Sequence, residues 1–346
     1  MHSFRGRQAA SIENNDLRVT VLKEGGHIAE ILDKRTSISP LWLPPWPSIE
    51  PSDFNPQQHS LYGDGGDSRL LAGIMGHNLC LDIFGGPSPE EFASGITAHG
   101  EGSVTSYEVT INERRIAMHG RLPLAQIYFR RTIELVHNWV RISESVESHC
   151  TFDRPIGWTQ HVTLGPPFLE RGVTQFRASA GRSKVYETDF GTAAYLKAGA
   201  EFDWPMAPRS DGSFADLRVF NSADVSSGYT AHLMDPQKHR AYFLAFAPGS
   251  NLAFGYVWRR DDFPWLGIWE ENHSRTSRPW NGITLTRGME FGVSPMPESR
   301  REMVDRGRLF GIPTYRWLPA MSCIDVQYWV VVRHSRSIPE ELDSPE

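Results

Sequence analysis

The sequence predicts an all-β protein, a large antiparallel sandwich or barrel with few and short helices. Segments that alternate apolar and polar residues recur along the 346-residue chain, and this period of two is typical of strands. The 30 glycines and 24 prolines interrupt the chain too often for helices of about 15 residues. No repeat of the length typical of solenoids or propellers is visible.

The strands are predicted from local patterns. Residues 17–22 alternate in side-chain character, and 127–135 and 139–147 flank a turn-like dipeptide, which predicts a hairpin. Two short helices are predicted over 88–94 and 298–307. Further strands are predicted over 104–111, 158–164, 229–234, 241–247, 252–258, 283–292 and 324–332.

The chain is predicted to form one domain over residues 1–346. Residues 40–69 interrupt the strand rhythm, because they are rich in proline and contain Trp42 and Trp46. A flexible linker would be polar and poor in aromatic residues. We therefore expect a long loop that packs on the body as the wall of a site, rather than a domain boundary. The polar residues 335–346 are expected to fray.

Composition excludes several classes of function. The 35 basic and 41 acidic residues give a net charge of −6, which disfavours an extended nucleic-acid surface. No apolar stretch is long enough to span a bilayer, and the N-terminus lacks the apolar region of a secretory signal. Cys80, Cys150 and Cys323 are far apart and lack metal-ligand spacing, so we expect buried free thiols and a cytoplasmic protein.

Motifs for metals, phosphates and serine nucleophiles are missing from the sequence. The 13 histidines form no HExxH pattern, and no GxSxG or Walker A sequence occurs. The glycine-rich segment 63–66 lacks a P-loop lysine and is interpreted as a turn. The sequence therefore predicts neither a metal site nor an organic cofactor.

Three residues are candidates for proton transfer. His99 is flanked by small residues, and the glycine after it permits a close backbone approach. His161 shares one face of the predicted strand 158–164 with two threonines. Glu290 lies between two apolar residues of a strand, so it points away from them, and partial burial there would raise the pKa of its carboxyl. The structural alternatives are a surface histidine, a satisfied core histidine and a solvent-facing glutamate.

Six segments then occur in a characteristic order. They are Gly25-Gly26-His27-Ile28, Gly76-His77-Asn78, His99-Gly100, His161-Val162-Thr163-Leu164, Glu290 and Leu318-Pro319-Ala320. In this order, over nearly the whole chain, they resemble the motifs of the aldose 1-epimerase (galactose mutarotase-like) superfamily. The chain departs from that pattern at His77-Asn78, where the family often carries Asn-Arg, and at Phe291, where it carries proline. The resemblance implies a large antiparallel β-supersandwich and interconversion of sugar anomers without metal or cofactor.

The resemblance also implies roles for individual residues. Mutarotation opens a hemiacetal ring and closes it on the other face. Glu290 is the expected base toward the anomeric hydroxyl, His161 the acid toward the ring oxygen, and His99 a hydrogen-bonding partner near that oxygen. Residues expected to contact the sugar are His77, Asn78, Trp158, Trp269, Glu270 and Arg287. Here tryptophan would stack on the sugar ring, and Arg287 would contact a phosphate or carboxylate on the sugar.

Two other functions stay open at this point. One is a carbohydrate-binding protein that uses the same sandwich without catalysis. The other is a polysaccharide lyase or glycoside hydrolase, in which Glu270 or Glu271 would supply the second carboxylate. In every case the expected partner is a small sugar or sugar derivative, with no nucleic acid and no membrane. The identity of the sugar and the oligomeric state are not predicted.

Overall fold

The protein, described over residues 1–345 by a computed structural model, confirms the expected all-β class. The first twelve strands are β1 (His2–Phe4), β2 (Arg7–Glu13), β3 (Leu17–Leu22), β4 (Ile28–Asp33), β5 (His77–Asp82), β6 (Glu108–Ile111), β7 (Arg115–Leu122), β8 (Ile127–Val136), β9 (Trp139–Ser148), β10 (Arg154–Leu164), β11 (Gln175–Ala178) and β12 (Ala180–Val185). The later strands are β13 (Glu201–Asp203), β14 (Met206–Pro208), β15 (Phe214–Asp216), β16 (Ser226–Met234), β17 (Arg240–Ala247), β18 (Leu252–Arg259), β19 (Trp265–Asn272), β20 (Leu285–Gly292), β21 (Arg308–Leu309), β22 (Ile312–Pro313), β23 (Arg316–Leu318) and β24 (Cys323–His334). The α-helices of this part of the chain are α1 (Ser68–Gly73), α2 (Pro89–Ala93) and α3 (Arg300–Arg306), and 3-10 turns cover Ser60–Tyr62 and Glu101–Ser103.

Two antiparallel sheets form the body. The larger sheet runs in the order β1-β2-β3-β4-β5-β10-β20-β19-β16-β12-β13, with β23 also paired to β10. The second sheet runs in the order β11-β17-β18-β24-β9-β8-β7-β6, and β14-β15 and β21-β22 are separate hairpins. The centre of the larger sheet, from β5 to β16, thus combines strands that are far apart in sequence.

An apolar core fills the space between the sheets because successive side chains of a strand point to opposite faces. On β10, Trp158 and Val162 point into this core and are fully buried. On β8 of the second sheet, Phe129 and Ile133 do the same. The alternate residues of β10, Thr159 and His161, therefore lie on the outer face of the larger sheet.

The local predictions agree best where the alternation is regular. Residues 17–22 are β3, and the predicted hairpin is β8 and β9. The predicted strand 104–111 is shorter, because only its second half pairs with β7. The two expected helices contain α2 and α3, each of which begins with a serine capping box. Helix α1 was not predicted, since six residues are too few to show a helical period.

The irregular segments differ in part from expectation. Residues 40–69 pack on the body through Trp42 and Trp46, which are buried. The tail, expected to fray, instead buries Leu342 in a cluster on the outer face of the second sheet. Cys80 and Cys150 are buried free thiols as expected, but Cys323 is exposed, because β24 begins there at the rim. Among the described residues, no helix is long and apolar enough to cross a membrane.

Candidate active site

Three of the candidate residues meet because their strands are neighbours in the larger sheet. His161 on β10 stands directly opposite Asn78 on β5 and opposite Glu290 on β20. Glu290 in turn stands opposite Gly267 on β19. Opposed side chains on one face of an antiparallel pair lie about 5 Å apart. The sheet therefore sets an amide, an imidazole and a carboxylate in one row across its outer face.

The carboxylate and the imidazole are in contact. Glu290 Oε1 lies 2.9 Å from His161 Nε2, and both side chains are more than nine-tenths buried. The contact is close but is not aligned as a hydrogen bond, so Oε1 has no hydrogen-bond partner. A Cβ atom at Gly288 would meet Oε1 at 2.2 Å. Gly288 thus provides the space in which this carboxylate lies.

Thr163 contacts the other ring nitrogen of His161. Its Oγ1 lies 3.0 Å from His161 Nδ1. A hydroxyl accepts from this nitrogen when the nitrogen carries a proton and donates to it when it does not. Nδ1 can therefore keep this partner in either state, while Nε2 faces Glu290.

Asn78 fixes the orientation of both histidines. Its Oδ1 accepts a hydrogen bond from His99 Nδ1 at 2.8 Å, and its Nδ2 lies 3.4 Å from His161 Nδ1. Because an amide oxygen only accepts, the proton of His99 lies on Nδ1 and its Nε2 is left as an acceptor. Burial, and the charge of His161, hold the pKa of His99 well below its ordinary value. His99 is therefore neutral and can accept from a ligand hydroxyl.

The His99-Gly100 turn places the ring of His99 beside the ring of His161. Both residues have positive φ, 63° at His99 and 73° at Gly100, and such values are uncommon for residues other than glycine. A Cβ atom at Gly100 would meet the Leu81 carbonyl oxygen at 2.3 Å, so only glycine lets the turn lie on β5. The ring centroids of His99 and His161 are consequently 4.6 Å apart.

A cavity of about 120 Å³ lies over His161 and Glu290 in this row. The residues lining it are Asp67, Leu70, Leu71, Ile74, Phe84, Ala98, His99, His161, Phe190, Tyr229, Trp269, Arg275, Trp280, Glu290 and Pro297. The indole Nε1 of Trp269 is buried and has no hydrogen-bond partner. Two residues of the lining, Trp269 and Glu290, thus each have a buried polar atom without a hydrogen-bond partner.

The proline- and tryptophan-rich segment builds part of the cavity wall. Trp280 lines the cavity, and Trp42 and Trp46 pack against it with ring centroids 6.2 and 4.9 Å away. The Arg275 guanidinium lies over the rings of Trp280 and Trp269, at 4.7 and 5.5 Å from their centroids. Stacked aromatic rings and a cation hold this wall rigid.

A larger open groove of about 620 Å³ crosses the second sheet. Its lining includes Arg130 and Arg259 but none of the candidate catalytic residues. Both guanidiniums have carboxylates nearby, Glu147 at 3.3 Å and Asp262 at 3.7 Å. The smaller cavity is the better candidate site, because Glu290 and Trp269 in its lining have polar atoms without hydrogen-bond partners. Within residues 1–345, no cluster of three or more His, Cys, Asp or Glu side chains has the arrangement of a metal site.

No protein-family model and no curated protein sequence matches the chain. Solved structures do. A candidate aldose 1-epimerase from Klebsiella pneumoniae is 14% identical with a TM-score of 0.68, over 97% of this chain and 82% of that protein. A candidate aldose 1-epimerase from Escherichia coli is 13% identical, with a TM-score of 0.62 over 95% and 100% of the two chains. A galactose mutarotase related enzyme from Lactobacillus acidophilus is 12% identical, with a TM-score of 0.61 over 96% and 100%. The chain has the galactose mutarotase-like fold.

Four of the expected sugar contacts lie elsewhere in this galactose mutarotase-like fold. His77 is one residue from Asn78 and Trp158 is three residues from His161, so strand alternation points both into the space between the sheets. Glu270 and Arg287 also point away from the cavity, for the same reason of strand alternation. Glu270 accepts a hydrogen bond from the Ser226 hydroxyl, and burial raises the pKa of its carboxyl. None of these four residues lines the cavity, so the expectation that they contact a sugar there is wrong.

Sequence reasoning missed part of the cavity wall. Asp67, Leu70 and Leu71 come from α1 and the residue before it, and Arg275 comes from the loop after β19. The glycine-rich turn at 63–66 was a signal for a chain reversal next to the site, but the short helix after it left no period to detect.

Proposed function

We propose that the protein is an isomerase of the aldose 1-epimerase type, which interconverts the anomers of a pyranose. The observation that carries the proposal is the Glu290 carboxylate, whose Oε1 has no hydrogen-bond partner, 2.9 Å from His161 Nε2 in the lining of one cavity. Mutarotation needs one group that takes a proton and another that gives one, both at the same carbon–oxygen unit. A carboxylate and an imidazole in one cavity meet that need.

The reaction follows from the protonation states that the contacts allow. Glu290 accepts the proton of the anomeric hydroxyl, and the C1–O5 bond breaks as His161 Nε2 donates a proton to the ring oxygen. The product is the open-chain aldehyde, with a neutral imidazole and a protonated carboxyl. Rotation about the C1–C2 bond presents the other face of the aldehyde, and the same two groups reverse their roles on closure. No net proton is gained or lost.

Thr163 and His99 assist this cycle. Because the proton leaves from Nε2, the His161 ring keeps its Nδ1 proton, and Thr163 Oγ1 accepts from Nδ1 before and after the transfer. His99 Nε2 accepts from a sugar hydroxyl, because its other nitrogen is committed to Asn78. The tryptophan rings of the wall offer faces on which the C–H groups of a sugar stack.

The test is NMR exchange between anomers, measured over a panel of neutral aldoses and sugar phosphates. We expect the wild type to accelerate exchange for at least one sugar, and Glu290→Gln to lose about 10²- to 10⁴-fold of that acceleration while it folds normally. Glu270→Gln is the matched control, since this buried carboxyl lies on the neighbouring strand and points to the opposite face. It should retain activity.

The outcomes separate this function from its alternatives. Sugar-dependent shift changes without accelerated exchange would identify a carbohydrate-binding protein instead. Release of a reducing end from an oligosaccharide would identify a hydrolase. That reading has less support, because Glu270 points away from the cavity and Glu271 is bound to Ser274 through its side-chain hydroxyl and backbone amide.

A further inference from the structure

One side of the cavity is apolar. Ten of its fifteen lining residues carry a hydrocarbon or aromatic surface, and only Asp67, His99, His161, Arg275 and Glu290 carry a charge or an imidazole. The apolar ones are Leu70, Leu71, Ile74, Phe84, Ala98, Phe190, Tyr229, Trp269, Trp280 and Pro297. They belong to a cluster that is separate from the core between the sheets, with the exception of Phe190, which packs against it, and Pro297. This side is a built surface with its own packing.

The backbone of the helix in this wall is already engaged. The Leu71 carbonyl oxygen accepts a hydrogen bond from Trp46 Nε1 at 2.9 Å. The Leu70 carbonyl accepts from the Ile74 amide at 2.8 Å, and the Gly73 carbonyl accepts from Arg7 Nη1 at 2.7 Å. These acceptors serve the fold, so α1 presents its leucine and isoleucine side chains to a ligand.

The one hydroxyl in this wall is engaged as well. Tyr229 donates it to the Pro295 carbonyl oxygen at 2.9 Å, so the residue offers its ring alone. The guanidinium of Arg275 is stacked on two indoles and lies 3.4 Å from Glu271. The remaining polar side chains of the lining are His99, His161 and Glu290 near the sheet and Asp67 at the start of α1.

A hexopyranose carries five hydroxyls, which point in different directions around the ring. Leu70, Leu71 and Ile74 form an apolar patch, here called the α1 wall, next to Asp67. Any hydroxyl that faces this patch rather than Asp67 would lose its water without gaining a partner, at a cost of about ten- to hundredfold in binding. A hydrogen or a methyl group at the same position would instead gain from burial against leucine and isoleucine. The wall therefore discriminates against a fully hydroxylated sugar.

We infer that the substrate is a deoxy sugar, a pyranose in which hydrogen replaces at least one hydroxyl. This inference rests on the proposed function, since it names the substrate class of the same site. The anomeric hydroxyl and ring oxygen meet Glu290 and His161, and the deoxygenated position meets Leu70, Leu71 and Ile74.

The experiment compares matched sugars on the wild-type protein. NMR exchange gives kcat/KM for galactose against 6-deoxygalactose, mannose against 6-deoxymannose, and glucose against both 6-deoxyglucose and 2-deoxyglucose. We expect at least one deoxy sugar to exceed its parent by about tenfold or more. If every parent hexose reacts as fast as its deoxy partners, the inference is overturned while the proposed function stands. If no sugar is accelerated at all, the proposed function falls, and this inference falls with it.

Two substitutions of Leu70 test whether the α1 wall causes the preference for deoxy sugars. Leu70→Asn adds a donor and an acceptor at similar volume, and we expect it to narrow or reverse the ratio between deoxy sugar and parent. Leu70→Met keeps the wall apolar and should preserve the ratio. A ratio that stays the same in a folded Leu70→Asn protein would overturn the assignment of this wall. If that variant does not fold, the wild-type ratios still decide the inference.

Discussion

Both faces of the larger sheet carry buried polar residues, but the hydrogen bonding of His77 on the inner face differs from that of Glu290 on the outer face. On the inner face, His77 Nε2 lies 2.9 Å from Gln160 Oε1, and its Nδ1 lies 3.0 Å from the Tyr256 hydroxyl. On the outer face, to which the alternate residues of these strands point, Glu290 Oε1 has no hydrogen-bond partner. Buried polar groups are nearly always satisfied. The satisfied network around His77 is therefore structural, and the unpartnered carboxylate oxygen lies in the lining of the cavity, where we propose that a ligand binds.

The inner network converges on one carboxylate. Glu144 accepts from Arg131 Nε at 2.8 Å, Trp158 Nε1 at 3.0 Å, Gln160 Nε2 at 2.6 Å and the Tyr328 hydroxyl at 2.7 Å. The two carboxylate oxygens of Glu144 thereby accept hydrogen bonds from residues of both sheets. This network joins the two sheets through polar contacts inside an otherwise apolar core.

Removing that carboxylate is the strongest test of the inner face. Glu144→Ala leaves the Arg131 guanidinium buried without its counterion and removes the acceptor of three further donors, so we expect a loss of about 3 to 5 kcal/mol in the free energy of unfolding. Urea denaturation measures it. Glu147→Ala is the control on the same strand, since its partner Arg130 is 47% exposed; it should cost less than about 1 kcal/mol. Equal costs for both variants would contradict a structural role for the network.

A buried histidine with two partners gives a second test through pH. The Met75 amide donates to His27 Nδ1 at 3.2 Å, and His27 Nε2 donates to the Ser103 carbonyl oxygen at 2.9 Å. The ring is thus held neutral, and burial lowers the pKa of His27 to about 3. The unfolded chain binds this proton near pH 6.5, so stability is full above that pH and falls as pH decreases from about 6.5 toward 3.

We expect the lowered pKa of His27 to reduce the free energy of unfolding by about 2 kcal/mol at pH 5 relative to pH 8. The free energy of unfolding is measured at pH 8 and pH 5 for the wild type, His27→Asn and the exposed-residue control His2→Asn. The difference between the two pH values should shrink by about 2 kcal/mol in His27→Asn only. An unchanged difference would mean that the folded protein protonates His27 at no cost.

The sequence was sufficient for the fold class because strand alternation is local. Residues 17–22 and the hairpin of β8 and β9 show it without any tertiary information. Strand order is not local. Nothing in the sequence pairs β10 with both β5 and β20, and that pairing alone brings Asn78, His161 and Glu290 together.

The same limit explains which site residues were predicted. His161 and Glu290 stand out, since each is a titratable residue on the polar side of a strand. His77 and Trp158 were misplaced because the resemblance names a segment, whereas the face depends on a shift of one residue. The α1 wall was missed, since leucines in a six-residue helix are indistinguishable from core residues in sequence.

The smallest effect tests the outer face alone. Trp269→Phe removes the unpartnered Nε1–H from the cavity, so we expect kcat/KM to fall about two- to tenfold, the value of one hydrogen bond to the sugar. Trp265→Phe is the control on the same face of β19, where Nε1 donates to the Pro313 carbonyl oxygen at 3.1 Å. That variant should lose about 1 kcal/mol of stability and keep its kinetics. Lost stability at Trp269 with unchanged kinetics would make its indole a structural group, and the difference between the two faces would no longer hold there.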